Sequence, residues 1–73
     1  MNEELILKNR LREARCARGL SQAQLAARLQ LAGVDLTRSA LAKLEAGQRH
    51  FYLEEILALQ TVLGISFDEL LDI

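Results

Sequence analysis

Proline and tryptophan are absent from the 73-residue chain, aromatic side chains make up only 4% of it, and there are four glycines. An all-β sandwich or barrel needs many turns and strand-favouring side chains, so this composition argues against one. The single cysteine, Cys16, can build neither an internal disulfide nor a zinc cage, and no metal or cofactor is expected. No apolar run approaches the roughly 18 residues that span a bilayer, and the amino terminus carries no signal-peptide pattern. A soluble, cytoplasmic protein that does not engage a membrane is the expectation. No glycine-rich phosphate loop occurs, and there is no room for a ligand-sensing domain, so no small-molecule ligand is expected.

What remains is a chain rich in Leu, Ala, Glu, Gln and Arg, all of which favour helix. Its length makes residues 1–73 one small domain. Its formal net charge is −1, but the charge is unevenly spread. All nine Lys and Arg residues lie between Lys8 and Arg49, against Glu13, Asp35 and Glu45, so this segment carries +6. The flanks hold Glu3, Glu4, Glu54, Glu55, Asp68, Glu69 and Asp72, which is −7. Local potential, not the average, decides what a surface attracts. Acidic and basic residues pairing across a solvated helical surface would give the same tally, so charge alone decides nothing.

Hydrophobic spacing predicts five helices. The first runs from Glu3 to Arg18 with Leu7, Leu11 and Ala14 recurring at helical intervals, and Gly19 stops it. Ser21 reads as an N-cap, and Gln24 three residues later completes a capping box. The second helix carries Leu25, Ala26 and Leu29 on one face and fades before Gly33. Val34 to Leu36 form a connector with its apolar ends tucked inward. Thr37 caps a third helix, Arg38 to Ala46, that stops at Gly47. At about 100° per residue, Leu41 and Leu44 point inward with Glu45 beside them, while Ser39, Ala42, Lys43 and Ala46 point outward. A fourth helix, Leu53 to Leu63, places Ile56, Leu59 and Leu63 inside and ends at Gly64. Ser66 and Glu69 form another capping box ahead of a short helix with Phe67, Leu70 and Leu71. The fold class expected is all-α: a compact five-helix orthogonal bundle with short connections.

Catalysis finds little footing. The only nucleophile–base pair is Cys16 with His50, and Cys16 falls near the inner side of its helix, where a free thiol acts as an apolar filler. Glu54 and Glu55 are adjacent, so they diverge on a helix and cannot share a substrate. An enzyme is not expected.

Two capped helices in tandem, the second with a small polar outer face, suit another task. An α-helix fits the major groove of B-DNA and reads base edges from its exposed amino-terminal turns. Thr37, Arg38, Ser39 and Lys43 occupy that location, and Ala42 with Ala46 keeps the face low. The amino end of the second helix, with Ser21 and Gln22, offers free N–H groups to a phosphate.

The run Leu20-Ser21-Gln22-Ala23-Gln24-Leu25-Ala26, then Ser39 to Gly47, then Leu63-Gly64-Ile65-Ser66-Phe67-Asp68-Glu69-Leu70-Leu71 resembles the lambda-repressor-like helix-turn-helix domains of the Cro/XRE type. The likeness extends from about Leu7 to Leu71. It implies a sequence-specific transcription regulator, a repressor of bacterial or phage origin, that binds double-stranded DNA as a homodimer. It implies base reading by Thr37, Arg38, Ser39, Ala42 and Lys43, and phosphate contacts from Arg10, Ser21, Gln22, Gln48, Arg49 and His50. Arg15 and Glu45 match an interhelical ion pair of such domains, a pairing that the inward placement of Glu45 also requires. The sequence departs from the pattern in three places. Gln30 to Asp35 lengthen the turn, which either tilts the third helix or extends the second. Tyr52 stands where a capping residue is usual. Gln60 stands where a small residue packs.

A protein-interaction module, such as an antitoxin or adaptor, is the alternative. Its motive is the leucine-rich acidic end, where Ile65, Phe67, Leu70, Leu71 and Ile73 exceed what a short helix easily buries. Phe67 and Leu70 are expected to close the core, and Leu71 with Ile73 to form a self-association surface.

Overall fold

A computed structural model describes residues 9–71. Five α-helices follow in order: α1 Leu11–Ala17, α2 Gln22–Leu31, α3 Arg38–Glu45, α4 Leu53–Leu63 and α5 Phe67–Leu70. The expected all-helical bundle is what the chain forms.

The core is built almost entirely from leucine. Leu11, Leu25, Leu29, Leu41, Leu44, Leu59 and Leu70 have no exposed surface, and Leu20, Leu36, Leu63, Ile65 and Leu71 are nearly as buried. Each helix contributes at least one of them, so none can leave without opening the cluster. At 25 cal/mol per Å², burying one leucine side chain contributes roughly 1.5–3 kcal/mol. Ile56 of α4 packs only partly against this cluster.

The helix starts follow local chemistry. The Ser21 and Ser66 hydroxyls accept the backbone N–H groups of Gln24 and Glu69, whose side chains accept in return from the cap N–H groups, closing both capping boxes. The Thr37 hydroxyl accepts the Ala40 N–H at 3.1 Å.

Four expectations need correction. The first helix begins at Leu11, not at Glu3; its stretch from Glu3 to Lys8, including Leu7, lies outside the described residues. Asn9 is extended, bridging antiparallel to Leu71. The Asn9 side chain accepts the Leu11 N–H at 3.0 Å and donates to the Leu44 carbonyl at 2.9 Å. Such a local side-chain bond competes with helix and sets its start. The Arg10 N–H then donates to the Leu70 carbonyl at 2.8 Å, so the two ends of the described chain are clasped.

Leu71 is buried at 2% exposure, whereas Phe67 is 42% exposed. The roles expected of them are exchanged, because the bridge to Asn9 pulls Leu71 inward while Phe67 opens α5 on its outer side. Leu71 is therefore not available as a self-association surface, and Ile73 lies outside the described residues. Cys16 is exposed and is not a core filler. The inner side of α1 is taken by Leu11 and Arg15.

The longer turn resolves as an extension of α2, which runs to Leu31 and leaves that side chain 89% exposed. Val34 N–H then returns to the Leu29 carbonyl at 2.9 Å, and Leu36 enters the core. Gln60 is half-buried on α4.

Gly64 ends α4 with φ +67°, and a Cβ built there would meet nothing within 4 Å. The cost of an L-residue at this position is therefore purely that of the left-handed backbone, about 1–2 kcal/mol. Gly64→Ala should lower the melting temperature by roughly 4–15 °C in a calorimetric scan, with Gly64→Asn intermediate. A melt unchanged by either substitution would refute the backbone argument.

Candidate nucleic-acid interface

Helix α3 carries two unlike faces. Leu41 and Leu44 are wholly buried, and on the other side Arg38, Ser39, Lys43 and Ala46 are exposed with Ala42 half-buried between them. These five residues span an arc of about 140° at helical spacing. Thr37 is exposed at the head of this face, its hydroxyl oxygen engaged as the cap. At the other end Gly47 has φ +72°, and the Gly47 and Gln48 N–H groups return to the carbonyls of Leu44 and Lys43. That closure requires the left-handed glycine and turns the chain sharply away, leaving the side chain of Gln48 exposed.

Glu45 lies at the edge of the face and joins three helices. Its carboxylate accepts from Arg15 Nε at 2.6 Å and Nη2 at 3.0 Å, and from Gln22 Nε2 at 3.1 Å. Arg15 Nη1 also donates to the Leu20 carbonyl at 2.8 Å. Both side chains of the pair are nearly buried, at 11% and 6% exposure. The hydrogen bond to Glu45 raises the Arg15 pKa beyond its already high value, although burial works the other way. The expected ion pair is thus present, and it takes in Gln22 as well. Ser21 at the head of α2 is exposed and acts as the cap.

Arg49 is placed differently from the expectation. Its guanidinium forks onto Glu55, with Nη1 and Nη2 donating to the two carboxylate oxygens at 2.8 and 2.9 Å. It also donates to the His50 carbonyl at 3.1 Å and lies 5.5 Å from the centre of the Tyr52 ring. The Tyr52 N–H donates to the Glu55 carboxylate at 3.0 Å, so half of a capping box replaces the missing Ser, Thr or Asp at the start of α4. Glu55 is 6% exposed, and Arg49 is what makes its burial tolerable. Arg49 accordingly works as a brace for the α3–α4 loop; the phosphate contact expected of it would have to compete with this bidentate pair.

Arg18 is likewise committed, donating to the carbonyls of Leu63 and Gly64 at the end of α4. Arg10 and His50 are exposed and have interactions of their own. Among the described residues, this leaves Arg12, Arg28, Arg38 and Lys43 as cations without a hydrogen bond or an ion pair. Two of the four lie on the outer face of α3.

Sequence reasoning missed Glu55 and Arg12. For Glu55 a signal existed: a glutamate three residues after a candidate cap position. Arg12 gave none, because a single exposed arginine on a helix has no distinguishing spacing.

The helix-turn-helix family model matches residues 11–70. The chain belongs to the helix-turn-helix family, of the Cro/C1 type. Among solved structures it is similar to the restriction-modification controller protein C.AhdI from Aeromonas hydrophila, with 45% sequence identity and a TM-score of 0.70. The match covers 82% of this chain and 80% of that one. No curated protein matches the chain. As a member of this family the protein is a sequence-specific DNA-binding transcription regulator. No helix among the described residues is long and apolar enough to cross a membrane.

The Glu55 carboxyl is pushed up by burial, but the Arg49 hydrogen bonds, the Tyr52 N–H and the Arg49 charge together outweigh this and hold it below its ordinary value of 4.5. A lowered folded value contributes stability that is complete above the unfolded value and lost as pH falls through the folded one. The melting temperature of the wild type should therefore fall more steeply than that of Glu55→Gln below about pH 4.5. At neutral pH, Arg49→Ala should cost roughly 1–3 kcal/mol in a denaturant titration, because Glu55 stays buried without its partner. Parallel pH profiles together with an unshifted midpoint would show that the pair contributes nothing.

Proposed function

We propose that the protein regulates transcription by setting α3 in the major groove of double-stranded DNA, with Thr37, Arg38, Ser39, Ala42 and Lys43 toward the bases. The observation that carries this reading is that Arg38 and Lys43 are unpaired on an otherwise small, exposed face. A guanidinium with no intramolecular partner can take the bidentate contact to guanine, worth about 1–3 kcal/mol of discrimination. Ala42 and Ala46 let the helix backbone approach closely. Phosphate contacts from Ser21 and Gln22 at the head of α2, and from Gln48, His50 and Arg10, hold the register. Arg10 lines clefts shared with Cys16 and Glu45 and with Ile65 and Glu69, not the cleft that Gln22 lines.

The mode of action is repression by occupancy of a promoter, in the cytoplasm of a bacterium or a phage-infected cell, by binding without catalysis, cofactor or small-molecule ligand. Similarity to C.AhdI makes the genes of a restriction-modification system the candidate target. The protein acts as a homodimer, since two modules on one palindromic site multiply a weak single contact. With Leu71 in the core, the self-association surface passes to Leu53 and Leu57, one turn apart on α4 and 69% and 53% exposed, with Phe67 as a further exposed apolar residue on α5. The interaction-module reading loses its main support, because Ile65, Leu70 and Leu71 close the core.

Selection of bound duplexes from a random pool should return one preferred sequence, and Arg38→Ala should relax it at one base pair while costing roughly tenfold in affinity. A pool with no enrichment would refute base reading by α3. In sedimentation equilibrium the wild type should dimerise at micromolar concentration and Leu57→Glu should not; identical behaviour would move the interface elsewhere.

A further inference from the structure

A cleft of about 360 Å³ opens between α1, α2 and α3, lined by Arg12, Arg15, Gln22, Ala42, Glu45 and Ala46. Arg15 and Glu45 neutralise each other, and Gln22 directs one N–H at Glu45. What the cleft still offers an occupant is the Arg12 guanidinium and the remaining polar atoms of the Gln22 amide. We propose that Arg12 is a phosphate-binding residue, and that this cleft receives a backbone phosphodiester of the same duplex whose bases α3 reads.

Three features carry the assignment. Ala42 and Ala46 belong both to the outer face of α3 and to the cleft wall, so an object lying on that face also borders the cleft. Along its own helix Arg12 has no acidic neighbour to quench it: one turn on stand Arg15 and Cys16. The carboxylate that lines the cleft, Glu45, is already engaged by Arg15 and Gln22. Arg12 is therefore an exposed, unpaired cation beside a second cation, with two small side chains leaving room in front of it. A guanidinium so placed grips phosphate oxygens with two parallel N–H bonds. The other wall of Arg12 faces a cleft of about 400 Å³ shared with Asn9, Arg10, Glu13, Cys16 and Glu45, which contains the uncompensated Glu13 carboxylate and suits an anion less well.

This inference rests on the DNA-binding reading above, and one titration separates the two. Fluorescence anisotropy would be recorded for wild type, Arg12→Ala and Arg12→Lys on the selected duplex and on a scrambled duplex across a series of KCl concentrations, with circular dichroism melts confirming equal folding. Arg12→Ala should weaken both duplexes by a similar factor, roughly three- to tenfold, and lower the slope of log affinity against log salt by about 1. Arg12→Lys should restore the slope. If wild type binds and Arg12→Ala keeps the wild-type slope and affinity, Arg12 touches no phosphate and the proposal fails alone. A loss confined to the selected duplex would make Arg12 a base reader and overturn the proposal equally. If wild type binds neither duplex, the DNA-binding reading fails and takes the proposal with it.

Discussion

The carboxylate of Glu45 is the point on which the geometry of the interface depends. It sits at the end of α3 and collects donors from α1 and α2, so one side chain fixes the relation of α3, the helix proposed to face bases, to both of the helices before it. The core alone could not do this. Leucines pack without direction, and a cluster of them tolerates small rotations of one helix against another. A guanidinium forked onto a carboxylate does not, since both groups are planar and the hydrogen bonds lose strength as they bend. The ion pair therefore adds angular definition to an interior that supplies most of the stability.

A second pair repeats this device at the exit of α3. Arg49 and Glu55 hold the loop between Gly47 and α4, and they do so with a carboxylate that also substitutes for the missing cap of α4. Among the described residues, the two acids whose side chains are most buried each have an arginine partner, as desolvation of a charge demands. Arginines locked into such pairs are subtracted from the surface potential. The residual positive field then comes from the few that are not, and that is why a chain with net charge −1 can still present a cationic face.

Features governed by neighbours in sequence were legible beforehand. The caps at Ser21, Thr37 and Ser66 and the inward leucines of α2 and α3 follow from side chains within four residues of one another. The Arg15–Glu45 pair spans thirty residues, yet it was readable because it came with the family resemblance. What could not be read was settled by contacts distant in sequence and without a pattern. Asn9 stands outside the first helix, bridged to Leu71, and the same bridge accompanies the burial of Leu71. Periodicity places Cys16 inward, but α1 is only seven residues long, too short for its apolar stripe to fix which side faces the core. The Arg49–Glu55 pair was not legible, because a basic residue in a loop looks the same in sequence whether or not an acid six positions away folds back onto it.

The clasp between Asn9–Arg10 and Leu70–Leu71 joins the two ends of the described chain. Without Leu70 and Leu71 the backbone N–H of Arg10 has no carbonyl to meet and the flank of Leu11 loses its cover. The first and last helices therefore open together or not at all, so neither end can fray by itself and the domain unravels as a single cooperative unit.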